Sequence, residues 1–486
     1  MKYFRKLFKI HNYLESPMDD IVRFALKQLE KSNVQYAEVR YVHSTNNGII
    51  IKNQIPQIGT FEENEGIGIR YLLNNAIGFL SINQLDKNKI KELLDRSVRK
   101  INTNKKINEK ISLASDKTYI ENYEVKQKIK IANVDFSEKT KLLLDAEKEM
   151  RSQNVKISGS YIALGDSVTT QYFENTEGTK IKSIIPKISF WYQIGIIENN
   201  EIMQRYWPWG ASGGFEIVKN WDIPNILVEE VKTMSLNLKK GVSPPKGEVD
   251  LVVAPQVVGI MCHESVGHPY EADRILGREA AQAGESFVTK ELLNTRIGSD
   301  AVTVTDDPTI ENSFGFYKYD DEGVKARKRI LIKNGLINEF LQNRETAFNF
   351  NIKSNGSARA TDFDKEPLIR MGNTILEKGD YKEEELFEDI KKGVYIKNFM
   401  EWNIDDKRFN QKYVGADAFL IEHGKITNPV IKPIIEITTP KLWSSVDAAA
   451  NNMEYHAGSC GKGEPMQACP VWFGGPSMRI RKIRLG

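Results

Sequence analysis

Two histidines five residues apart, with a glutamate directly after the first, constrain the backbone more than any other stretch of this chain: His263-Glu264-Ser265-Val266-Gly267-His268. These residue types together are how a protein builds a catalytic zinc site. Zinc takes three protein ligands at ~2.0–2.3 Å and keeps a fourth position open for water, whose pKa falls toward ~7. A carboxylate beside that position takes the water's proton and passes it to the leaving amine. Glu264 is the candidate. Familiar zinc peptidases space their histidines i, i+4, which returns to within ~40° of one helix face, whereas i, i+5 lands ~140° away. A straight α-helix therefore keeps these imidazoles apart. Two distortions would reunite them: a π-bulge, in which i and i+5 nearly eclipse, or a helix that opens at Gly267 because Pro269 biases His268 out of the α region.

The preceding residues place the motif. Glu248 to Val253 (EVDLVV) reads as a buried strand, and Pro255 to His263 as a short helix opened by proline, with Val257, Val258 and Met261 apolar. A third ligand must come from elsewhere in the chain. Cys460 lies in a glycine-rich turn, AGSCGKG, whose backbone can approach a metal closely. Its rivals are Cys262, turned ~100° from the His263 face, Cys469, His456 and Glu271. Spacing alone leaves the choice among them open, because a cysteine is as readily a small buried hydrophobe as a ligand.

At 486 residues the chain exceeds one ordinary core, so at least two domains are expected, and 40% apolar with 27% charged residues is ordinary for a soluble globular protein. A net charge of +3 gives no general nucleic-acid footprint. The basic run Arg479 to Arg484 (RIRKIR) reads as an edge or terminal strand. Three cysteines argue against a disulfide framework and fit a reducing compartment. The amino terminus, MKYFRKLFKI, lacks a continuous apolar core and a small-residue cleavage site, and no stretch approaches ~18 apolar residues. A cytoplasmic protein that does not span a membrane is expected, with those ten residues forming a short amphipathic surface helix.

Patterning suggests a duplication. Pro17 to Lys31 reads as an amphipathic helix, Tyr36 to His43 as a strand followed by hairpins through Ser81, and Asp86 to Lys100 as a helix. Ser137 to Arg151 then reads as a helix, followed by alternating strands through Ile197 and a helix at Pro224 to Leu238. The joint at 239–247 is rich in Pro and Gly. The expected architecture is α+β: an amino-terminal domain over 1–240 with an internal duplication, then a β-rich domain over 248–486 that carries the metal helix. Helical stretches are expected there near 255–268 and around Lys382 to Lys392.

The strings HESVGHPYEAD, SCGKG around Cys460 and the closing GGPSMRIRKIRL resemble the TldD branch of the TldD/PmbA family of zinc peptidases, also described as modulators of DNA gyrase. Thr305 to Glu345, Arg370 to Thr374, Ile421 to Lys425 and Tyr36 to Asn83 also resemble family segments. The resemblance implies Zn2+ bound by His263, His268 and Cys460, with Glu264 as general base. It further implies cleavage of unfolded or short peptides in a chamber enclosed between subunits, the partner being a PmbA/TldE-like paralogue, which lacks the His-Glu motif, or a second copy. His456 and Cys469 have no place in the family pattern, and SNGSARATDF (354–363) is less arginine-rich than the family's segment.

Peptide cleavage needs a donor for the developing oxyanion and an edge along which an extended chain can lie; Arg370 and Asn373 can be placed on such an edge, and equally read as ordinary strand residues. The alternative from another class is a non-catalytic regulatory or interaction protein with a structural zinc. Glu264 separates the two, since a structural site is closed by four protein ligands and needs no free carboxylate. An amidohydrolase acting on a non-peptide amide would use the same parts.

Overall fold

The computed structural model describes residues 17–57, 59–103, 110–279 and 284–486. The helix expected over the first ten residues lies outside them. The first half is built on one long sheet of eight strands. Its centre is Tyr36–Lys52, antiparallel on one side to Phe61–Leu73 and on the other to Lys156–Asn175, which leads through Lys180–Glu198 to Glu201–Ser212. The two helix–strand–helix units are therefore joined edge to edge. Each keeps its own helical cover because each has its own apolar stripe. Pro17–Lys31 and Lys87–Thr103 bury Val22, Leu29, Ile90 and Leu94 against Val39 and Ile69. Phe136–Arg151 and Ile223–Lys240 bury Leu143, Met150, Leu227 and Val231 against Ile162 and Phe190.

The second half contains two six-stranded sheets. Glu248–Val253 lies inside the first, parallel to Lys392–Ile396 and antiparallel to Met478–Arg484. The second ends in the antiparallel pair Gln467–Gly475 and Glu454–Lys462, the latter at its edge. The helix Pro255–Cys262 leaves the first sheet and packs on the second. Gly259 permits that approach, because a Cβ there would stand 2.6 Å from the Gly474 amide nitrogen. The fold is thus α+β and β-rich, as its patterning implies.

Two local expectations need correction. The run RIRKIR does form the terminal strand of the chain, but not an edge of its sheet: Val446–Ala449 pairs on its far side, and Arg479 and Arg481 are neutralised by Asp250, Asp389 and Asp447. Around Lys382 to Lys392 there is only a 3₁₀ turn, Glu384–Leu386. Leu386, Phe387 and Ile390 reach one small core from it, and i→i−3 bonds suffice to present them.

Candidate metal centre and its pocket

The helix Pro255–Cys262 passes directly into a π-helical turn, His263–Gly267. The first of the two distortions is the one adopted. His268 stays in the right-handed α region at φ −62°, ψ −47°, so Pro269 does not push it out; the proline instead opens the 3₁₀ turn His268–Tyr270. Side chains fix the wide turn. Ser265 Oγ donates to the Met261 carbonyl and accepts from the indole Nε1 of the fully buried Trp443. At Gly267 a Cβ would stand 1.9 Å from Met371 Sδ, so any larger residue would have to displace that side chain.

The outcome is that the two imidazoles meet edge to face, ring centres 5.0 Å apart. Cys460 arrives on the edge strand Glu454–Lys462, its sulfur 3.4 Å from His268 Nε2. The ligand atoms of His263, His268 and Cys460 all lie within 4.8 Å of one another, and all three residues are buried. Burial pushes the Cys460 thiol up, but the positive charge of His268, Arg370 and His263 outweighs it and holds the thiol well below its usual range. Burial likewise pushes His263 down, yet the Cys460 sulfur and nearby carboxylates leave it raised. Two imidazoles and an acidic thiol are the donor set zinc prefers, and His263 Nδ1 has no hydrogen-bond partner among the described residues. The residues present fit the ion.

The rival ligands have other places. Glu271 Oε2 accepts from His268 Nδ1 at 3.2 Å, which leaves Nε2 facing Cys460. Glu271 is held by Arg274 Nε at 2.6 Å and Lys462 Nζ at 3.3 Å. Burial would raise this carboxyl, but Lys462, Arg274 and His268 hold it well below its usual range. A carboxylate that fixes the ring of a ligating histidine is a common outer partner of metal sites. Cys262 is wholly buried, and burial pushes its thiol up. Cys469 sits directly across the strand pair from Cys460. His456 lies against Trp207 and Phe473, with its pKa lowered to about 4 by burial.

A cavity of about 390 Å³ opens beside the three residues, walled by Tyr206, Trp207, Phe399, Trp402 and Phe473. Glu264 lines it. Both of its oxygens are engaged from one hairpin: Trp402 Nε1 donates to Oε1 at 3.1 Å, and Arg408 Nη1 to Oε2 at 2.9 Å. Sequence reasoning missed these two residues. Arg370 and Asn373 do not line this cavity; both are wholly buried. Arg370 donates to the carbonyls of Gln467 and Cys460, bracing the strand pair, and Asn373 bonds the Asp307 carbonyl and Ser313.

Two histidines from a helical turn and a cysteine from a neighbouring strand, buried together and facing a cleft with a carboxylate, form a candidate centre of the metallopeptidase class. Comparison with known proteins makes this specific. Models of the PmbA/TldA metallopeptidase match domain 1 over residues 37–101, the central domain over 129–239 and the C-terminal domain over 246–486. A metalloprotease of Methanocaldococcus jannaschii is 33% identical over 449 residues, covering 91% of this chain and 95% of the relative. A zinc metalloprotease TldD homologue of Saccharolobus solfataricus is 25% identical over 463 residues, covering 95% and 98%. The solved structure of TldE from Thermococcus kodakarensis shares the fold, with a TM-score of 0.75 at 17% identity over 97% of this chain and 100% of that one. The chain belongs to the PmbA/TldD family of metallopeptidases.

Proposed function

We propose that this chain is a zinc-dependent peptidase of HExxxH type that cleaves unfolded or short peptides. In this reading His263, His268 and Cys460 hold the ion, and Glu264 is the general base. One observation carries it: three buried ligand atoms of the right types converge while Glu264 stays outside the trio and faces the cleft. A purely structural site would close on a fourth protein ligand. Zinc bound there supplies Lewis acidity for the scissile carbonyl and the attacking water. Glu264 takes the proton from that water on a carboxylate oxygen and returns it to the departing amine nitrogen. Glu271 keeps the His268 ring in one orientation, and the aromatic walls offer a surface for apolar side chains.

The edge strand Glu454–Lys462 borders the cleft and supports an extended substrate, which folded proteins do not present. The partner is a TldE-like paralogue or a second copy, and the setting is the cytoplasm; no helix among the described residues is long and apolar enough to cross a membrane. The amino-terminal unit of this reading runs over 1–240 and the metal-bearing one over 248–486.

The deciding measurement is zinc per chain in the wild type and in His268→Ala, followed by digestion of labelled casein with and without the paralogue. About one zinc per chain, lost in the variant, with casein cleaved, is the expected result. Tight zinc with no cleavage under either condition would favour the interaction-protein reading.

A further inference from the structure

Arg408 has a place in the pocket that binding Glu264 does not exhaust. It stands in the turn between the strands Phe399–Ile404 and Asn410–Gly415, and its backbone is left-handed at φ +63°. A non-glycine residue held there costs ~1 kcal/mol or more and persists only where its surroundings impose it. They do so here. The Asp405 carboxylate accepts from the backbone amides of Phe409 and Asn410 and from the Asn410 side chain, while Arg408 N–H donates to the Asp405 carbonyl. Thr439 Oγ1 donates to the Arg408 carbonyl at 2.8 Å. This strained, braced turn sends the guanidinium back into the cleft, where its side chain is 12% exposed.

Once there, it is underused. A guanidinium carries five N–H donors, and among the described residues its one hydrogen bond runs from Nη1 to Glu264 Oε2. Nε is buried with no hydrogen-bond partner among the described residues. A buried charged donor left unsatisfied is costly, and here it lines the same cavity as the three ligand residues. Arg370, whose Nε is likewise buried without a partner among the described residues, braces two backbone carbonyls and does not line this cavity.

We propose that Arg408 is a catalytic residue, its unpaired N–H groups receiving the negative charge that develops on the scissile carbonyl oxygen. Trp402 is its positioning partner, holding the other Glu264 oxygen so that the carboxylate and guanidinium keep a fixed relation. The inference rests on the peptidase reading above. A donor preorganised in a dry site acts mainly on the transition state and contributes little to ground-state binding.

The test uses the zinc-loaded full chain with its partner and two uncleavable peptides of one sequence. One carries a phosphinate at the scissile position and mimics the charged transition state; the other carries a reduced methyleneamino bond and has no oxygen there. Calorimetry is expected to show that Arg408→Met weakens the phosphinate ~10²-fold while the reduced peptide changes less than ~3-fold, a general binding effect being common to both. Zinc content should stay unchanged, and Arg408→Lys should recover part of the loss. Trp402→Phe, which keeps the ring, should give a smaller loss of the same selectivity and serves if Arg408→Met does not fold. Equal weakening of both peptides would overturn the proposal. So would a loss confined to peptides with a free carboxyl terminus, which would make Arg408 a terminal clamp, or faster casein cleavage, which would make it an inhibitory latch on Glu264. A wild-type chain that binds the phosphinate no better than the reduced peptide would instead overturn the peptidase reading.

Discussion

At the scale of single residues, the proposed function divides the site into groups that would hold the ion, a group that would move a proton and groups that hold those groups still. Glu264→Gln should abolish casein cleavage and leave zinc at the wild-type level, because the amide keeps the shape and the Trp402 contact but cannot take a proton. Loss of both zinc and activity would place the glutamate among the ligands. Glu271→Gln should act differently. It keeps an acceptor for His268 Nδ1 but removes the charge that Lys462 and Arg274 grip, so zinc affinity should fall by ~10–100-fold, measured by competition with a chelator. The motif residues were legible because they are contiguous; Cys460 was one of several open choices by its glycine-rich setting, and only the family resemblance singled it out. Trp402 and Arg408 were not, since they reach Glu264 from 138 and 144 residues away and nothing local marks them. Lys462 carried a faint signal: it follows Cys460 by two residues, so on a strand both point to the same face.

At the scale of elements, the π-helical turn is the feature on which the site depends. It converts a spacing that a regular helix cannot use into one that brings two rings face to edge, and it does so by an anchored serine and an absent side chain. Gly267→Ala forces a methyl into Met371 and should cost ~1–3 kcal/mol by overpacking. If the turn relaxes toward a regular α-helix to escape, His268 swings away. The expected result is therefore a lowered Tm together with weakened zinc binding, and Met371→Ala in the same chain should restore part of both. A loss of Tm with zinc affinity intact would mean that the turn is rigid without Gly267. The apolar periodicity of the four long helices was readable because each covers one sheet face with an unbroken stripe. The 382–392 stretch misled for a related reason: its apolar residues satisfy helical spacing locally, but Gly393 and the strand Lys392–Ile396 follow at once and leave no length for a helix.

At the scale of the whole molecule, the two halves meet through polar groups withdrawn from water. Arg205 donates to both oxygens of Asp417 at 2.7 and 2.8 Å and also meets Glu230, joining the strand Glu201–Ser212 to the start of Ala418–Glu422. Removing one partner of such a buried pair strands the other, so Arg205→Met should cost ~3–5 kcal/mol, read from urea unfolding. Residue patterns within each half could not announce this seam, because its pairs match only across hundreds of residues. Lys187 lies in a second part of this seam. It projects from Lys180–Glu198 toward Phe314, with Arg359, Asp321 and Cys469 as its charged or titratable neighbours, in a cavity of about 260 Å³ between the halves. Burial first, then the nearby Arg359, lowers its pKa from 10.5 to about 7. Between those two values the unfolded chain keeps a proton that the folded chain has released, so folding is penalised at neutral pH and the penalty shrinks as pH rises toward 10.5. Replacing Lys187 by methionine keeps the length and removes the charge. The variant should be more stable than the wild type near pH 7, and its urea midpoint should change less between about pH 7 and pH 10 than the wild type's. An unchanged slope would assign that pH dependence to other groups and would mean that the Lys187 ammonium finds water or a counter-ion within the seam.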